Sequence, residues 1–129
     1  MTFNWEDYLT LANKLSEETL TSAIQEAQFR SAISRAYYAA FNQAKTFLEN
    51  TDKILIPRVN IHKYVINQFQ NSPDRRRQKI GNRLLVLRTY RNQADYDSTI
   101  TVRDETCQEA LTLAKRIILA FKKIDEMEE

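Results

Sequence analysis

Apolar residues recur along this chain at intervals of three and four, the signature of helices that bury one face. Trp5, Tyr8, Leu9, Ala12 and Leu15 predict a first helix, with Asn4 as its N-cap. A polar stretch from Ser16 to Thr21 interrupts the pattern. Ser22 and Gln25, at capping-box spacing, open a long second helix striped by Phe29, Ala32, Ile33, Ala36, Tyr37, Ala40, Phe41, Ala44, Phe47 and Leu48. Asn50 suits its end, and residues 51–59, which include Pro57, read as a loop. Asn60 predicts the cap of a short helix whose inner face is Ile61, Val65, Ile66 and Phe69. Ser72-Pro73-Asp74 then supplies an N-cap, a Pro at the first helical position and an acid at the positive dipole end of a fourth helix. That helix runs to about Tyr96, with Ile80, Leu84, Leu87 and Ala94 inward. Gly81 costs it about 1 kcal/mol relative to Ala and marks a place where it can break. Thr101 and Asp104 cap a fifth helix, striped by Cys107, Ala110, Leu111, Ala114, Ile117, Ile118, Phe121 and Ile124. The expected fold is all-α: an antiparallel four-helix up-and-down bundle with an additional short helix, residues 1–129 forming one domain.

Composition narrows the function classes. One Gly and two Pro stand where average usage gives roughly 15 of the two together, so sheet folds built on tight hairpins are disfavoured. A single Gly also cannot write a P-loop or a dinucleotide-binding fingerprint. One Cys and one His exclude an internal disulfide and a structural zinc site, and no metal or cofactor is expected. The longest apolar runs, Ala36 to Phe41 and Ile117 to Phe121, fall far short of the ~20 residues a membrane span needs. The N-terminus lacks a cationic segment followed by an apolar one, so a soluble, cytoplasmic protein is expected. With a net charge of +2, attraction to nucleic acid has to come from local clusters.

Two stretches carry the candidate chemistry. In Ser34-Arg35-Ala36-Tyr37-Tyr38-Ala39-Ala40-Phe41, small residues permit close helix packing beside a dense aromatic stripe. An Arg there is expected to be partly buried, and a buried charge needs a partner. In Arg88 to Asp97, Arg91 and Asp95 form an i,i+4 pair, and antiparallel packing of the second and fourth helices can set Asp95 opposite Arg35. That constellation reads either as a register-fixing salt bridge or as a polar cleft for a phosphate or base. A third feature is basic: of Arg75, Arg76, Arg77, Lys79 and Arg83, the trio Arg76, Lys79 and Arg83 shares one helical face. It is a candidate nucleic-acid patch, or a solvated surface.

The chain resembles the HEPN-domain family, in particular its small stand-alone prokaryotic members. The likeness rests on the run from Phe29 to Phe41, on Leu87-Arg88, on Arg91 through Asp97, and on His62 at the opening of the short helix. The resemblance implies a HEPN-type bundle that usually forms a homodimer. It implies RNA- or nucleotide-linked activity, often beside a small nucleotidyltransferase partner in a toxin–antitoxin-like pair. Active ribonucleases of the family use an Arg, commonly followed by a polar residue such as Asn, then a His after a gap of four to six residues. Arg91 and Asn92 fit the first part, but Tyr96, Asp97 and Ser98 stand where the His would be. Tyr, with an ordinary pKa of about 10, is no ready base at neutral pH, so weak or absent ribonuclease activity is expected. Arg91 and His62 are the remaining catalytic candidates. The expected ligand site comprises Arg35, Tyr38, Arg91, Asn92, Asp95 and Tyr96, with Arg91 on phosphate, Asn92 hydrogen-bonding and Asp95 orienting Arg35 or Arg91. A metal-independent ribonuclease with an altered base and a purely structural interaction bundle stand as alternatives.

Overall fold

Side-chain caps mark the starts of the first and fourth helices, while the second and third open without one. The computed structural model describes residues 3–18 and 21–128. Within them lie α1 (Glu6–Glu17), α2 (Ser22–Asn50), α3 (Ile61–Gln70), α4 (Arg75–Tyr96) and α5 (Asp104–Glu128). The Asn4 carboxamide oxygen accepts the Glu6 N–H at 3.1 Å, so the expected cap bond forms at α1. At α2, Ser22 falls inside the helix and Thr21 flanks it without a side-chain cap bond, so the capping box does not open it. The start of α4 lies two residues beyond the expected position. Asp74 takes the Arg76 N–H at 2.8 Å, while Ser72 Oγ takes the Asp74 N–H at 3.1 Å. A carboxylate caps as well as a hydroxyl does and also meets the positive helix end, so Asp74 displaces Ser72 as the cap and Pro73 stays outside.

The helices pack up-down-up-down around α2, which touches the other four. Cross-helix pairs give the sense: Arg30 with Ala94 and Tyr38 with Arg91 run antiparallel between α2 and α4. Five alanines on α2 (Ala32, Ala36, Ala39, Ala40 and Ala44) are fully buried and let neighbouring backbones approach. One continuous apolar core results, from Ala12 on α1 to Ile124 on α5. Near the α2 C-terminus, Phe47, Phe69 and Phe121 meet at ring-centroid separations of 5.1–6.0 Å. No helix among the described residues is long and apolar enough to cross a membrane.

Two polar side chains of α2 serve other helices' ends. The buried Gln28 amide donates to Leu15 O and Glu18 O, carbonyls that α1 leaves open at its C-terminus. Arg30 donates to Gln93 O and Ala94 O, each at 3.0 Å, and to Ile100 O at 2.9 Å. A cation thus sits against the negative end of α4.

Gly81 does not break α4. It is buried, and a Cβ built there would lie 2.6 Å from the backbone nitrogen of Gln70. The glycine is the notch into which the end of α3 fits. Gly81→Ala is therefore expected to destabilise by about 1–3 kcal/mol in urea denaturation, because overpacking against backbone outweighs the helix-propensity gain of about 1 kcal/mol.

Candidate functional site

The inward stripe of α4 runs Ile80, Leu84, Leu87, Arg91, Ala94, so a guanidinium occupies a position built for an apolar side chain. Arg91 is only 9% exposed. Its Nε donates to Asp95 Oδ2 at 2.9 Å and its Nη1 to Asn92 Oδ1 at 3.2 Å. Its Nη2 donates to the hydroxyls of Tyr38 and, at 3.3 Å, Tyr96. The same guanidinium lies 5.0 Å from the Tyr38 ring centroid, 5.3 Å from that of Tyr96 and 5.6 Å from that of Tyr37. Ser34 on α2 donates to the Asp95 oxygen that Arg91 uses, at 3.2 Å, which ties the ion pair to the neighbouring helix. The outer wall is open, since Tyr96 is 73% exposed and Asn92 is exposed.

His62 reaches this cluster from the first turn of α3. Its Nδ1 lies 2.6 Å from the Tyr37 hydroxyl, and its ring stacks on Phe41 at 4.3 Å. Desolvation and the positive charges of Arg88 and Arg91 hold its pKa below the ordinary 6.5, so the imidazole is neutral at pH 7. Burial pushes the Tyr37 phenol well up, against the pull of Arg88 and Arg91, and it keeps its proton. Such a hydroxyl can donate to Nδ1, which leaves the imidazole proton on Nε2. The lowered His62 pKa also sets a stability slope. Below pH 6.5 the unfolded chain takes up a proton that the folded chain resists, so stability is expected to fall on acidification through this window. In urea denaturation between pH 7 and 5, His62→Gln is expected to flatten that fall.

Other sequence candidates land elsewhere. Arg35 is exposed, and its guanidinium lies 5.6 Å from the Tyr8 ring centroid on α1. Asp95 therefore orients Arg91 and not Arg35: Ser34, one position earlier on α2, is the residue turned toward α4. Arg35 and Asp95 share only the rim of an open groove of about 330 Å³ that Arg30 and Ser34 also line. The arginine of α2 that is held by partners is Arg30, paired at 2.9 Å with Glu26 as well as bonded to the α4 carbonyls. In the basic segment, Arg76 is bound to Asp74 at 2.7 Å, and Arg77 is bound to Asp52 at 2.6 Å over the Phe47 ring. Arg75, Lys79 and Arg83 make no ion pair among the described residues. Cys107 is fully buried, and burial pushes its thiol up to about 11, so it fills core space. No cluster of three His, Cys, Asp or Glu side chains suited to a metal occurs among the described residues.

Tyr37, not counted in the expected ligand site, joins His62 to this cluster, and the charge of Arg88, also not counted, acts on both. Arg88 precedes Arg91 by one helical turn, a signal readable in the sequence.

A five-helix bundle with a half-sheltered arginine–tyrosine–histidine cluster defines a class of small helical protein. The family model described as HEPN domain matches residues 6–124, and the chain belongs to that family. No curated protein and no solved structure matches it.

Proposed function

We propose that the chain is a HEPN module that binds nucleotide or RNA through Arg91, Tyr38, Asn92, Asp95 and Tyr96, in a toxin–antitoxin-like pairing with a nucleotidyltransferase. One observation carries the reading: a guanidinium held in place by Asp95 and three further partners stands beside the widely exposed ring of Tyr96. A cation fixed before the ligand arrives suits a phosphate, and an open aromatic face suits a base. Arg75, Lys79 and Arg83 extend the positive surface toward the other end of α4 and suit further phosphates. Arg35 would act from the groove rim, away from the Arg91 pocket.

A ribonuclease reading has His62 in its favour, because a neutral imidazole near two guanidinium groups offers Nε2 as a base, which Tyr96 lacks, in the tautomer whose Nδ1–H donates to the Tyr37 hydroxyl. One experiment separates the two. Fluorescence anisotropy with a single-stranded RNA oligonucleotide, in EDTA, is expected to show binding without cleavage. Base stacking is worth about 1–3 kcal/mol, so Tyr96→Ala is expected to weaken binding roughly 5- to 150-fold with little change in Tm. Cleavage that His62→Ala abolishes would make His62 the base and overturn the binding-only reading. Full affinity in Tyr96→Ala would remove the site.

A further inference from the structure

The Arg91 network engages four of its five N–H donors and keeps one on Nη1, and it leaves a neighbouring guanidinium unmet. The Nε of Arg88 is buried without a hydrogen-bond partner among the described residues, and Arg88 forms no ion pair there. A guanidinium has five N–H donors and no means of losing its charge, so a buried, unmatched Nε–H lacks its acceptor. The local charge sum points the same way. Arg88 and Arg91 bring two positive charges, and the one carboxylate bonded within the cluster, Asp95, brings a single negative one. Tyr37 and the neutral His62 contribute none. One positive charge is left without an anion, and Arg88 is near enough to Tyr37 and His62 for its charge to act on both.

We propose that Arg88 and Arg91 together hold one phosphoryl group beside the Tyr37–His62 pair, with Arg88 supplying the donor and the charge that the protein itself leaves uncompensated. The inference rests on the nucleotide- or RNA-binding reading and adds to it the group that is recognised and the residue that recognises it. Two guanidinium groups one helical turn apart offer several N–H donors to the three or four oxygens of one phosphoryl group. A phosphodiester, with one negative charge, balances the excess charge of the cluster. A terminal phosphomonoester, with up to two, balances it and also stabilises a proton on His62.

The test is isothermal titration of the full chain with inorganic phosphate, with a single-stranded RNA oligonucleotide, and with the same oligonucleotide carrying a 5′-phosphate. Wild type is expected to bind both oligonucleotides, and phosphate to compete with them. Arg88→Gln is expected to weaken oligonucleotide binding at least tenfold with unchanged far-ultraviolet circular dichroism. Arg88→Lys, which keeps the charge but loses the fork, is expected to fall between the two and serves as the readout if the Gln variant does not fold. A 5′-phosphate that tightens binding assigns the group to a strand terminus or mononucleotide; equal affinities assign it to an internal diester. Wild-type affinity in both Arg88 variants would overturn the inference. If Arg91→Ala abolishes binding while the Arg88 variants retain it, the inference fails and the proposed function stands. If wild type binds none of the three probes, both fail.

Discussion

Arg91→Ala is expected to abolish nucleotide or RNA binding and to lower stability by about 2–3 kcal/mol in urea denaturation. Hydrogen bonds to a charged group contribute about 1.5–3 kcal/mol, and removing one member of a fully buried ion pair costs about 3–5 kcal/mol. The Arg91 and Asp95 side chains are 11% and 24% exposed, so water relieves part of that cost and the lower range applies. The substitution also strips the Tyr38 hydroxyl of its donor and leaves Asp95 with Ser34 alone. Arg91→Lys is expected to recover little, because an ammonium cannot span Asp95, Asn92 and two tyrosines in one plane. Unchanged stability together with retained affinity would show that this guanidinium is neither strut nor ligand contact.

Phe69→Ala is expected to act in the opposite proportion. Phe69 is fully buried between Phe47 and Phe121 and fastens α3 to the rest of the core. Truncating a buried Phe costs about 3–5 kcal/mol through lost transfer energy and the cavity left behind. For a domain of this size that is a drop of roughly 10–20 °C in Tm, readable by circular dichroism. Arg91 stands on α4, so binding at a temperature where the variant is still folded is expected to persist. A Tm within a few degrees of wild type would mean that the three-ring contact closes up around the gap.

The helices were legible because their stripes are long and regular, and the segments expected from Phe29 to Leu48 and from Cys107 to Ile124 form as read. The Arg91–Asp95 pair was legible for a local reason: four residues on one helix fix the geometry with no tertiary information. What joins α2 to α3 was not. Tyr37 and His62 are 25 positions apart, and no periodicity says that the opening turn of one helix will lie against the middle of another. Helical phase also misled at α2. It places an arginine near a face but does not say which neighbour that face meets, so the pattern points to Arg35 for the partner-held role that Arg30 fills. Gly81 failed as a sequence signal because its cost to an isolated helix is visible, while the backbone it makes room for belongs to α3.

Arg30 ties the final turn of α4 and the segment leading into α5 to α2 through three carbonyls. That turn carries Asn92, Asp95 and Tyr96, and Arg30 holds it by backbone carbonyls rather than by those side chains. Fraying of the turn is therefore governed from a neighbouring helix, and amide hydrogen exchange near residues 94–97 is a gauge of how firmly that anchor holds. A substitution at position 30 is expected to weaken the proposed binding by letting this turn lose its shape, with the side chains of Asn92, Asp95 and Tyr96 still present.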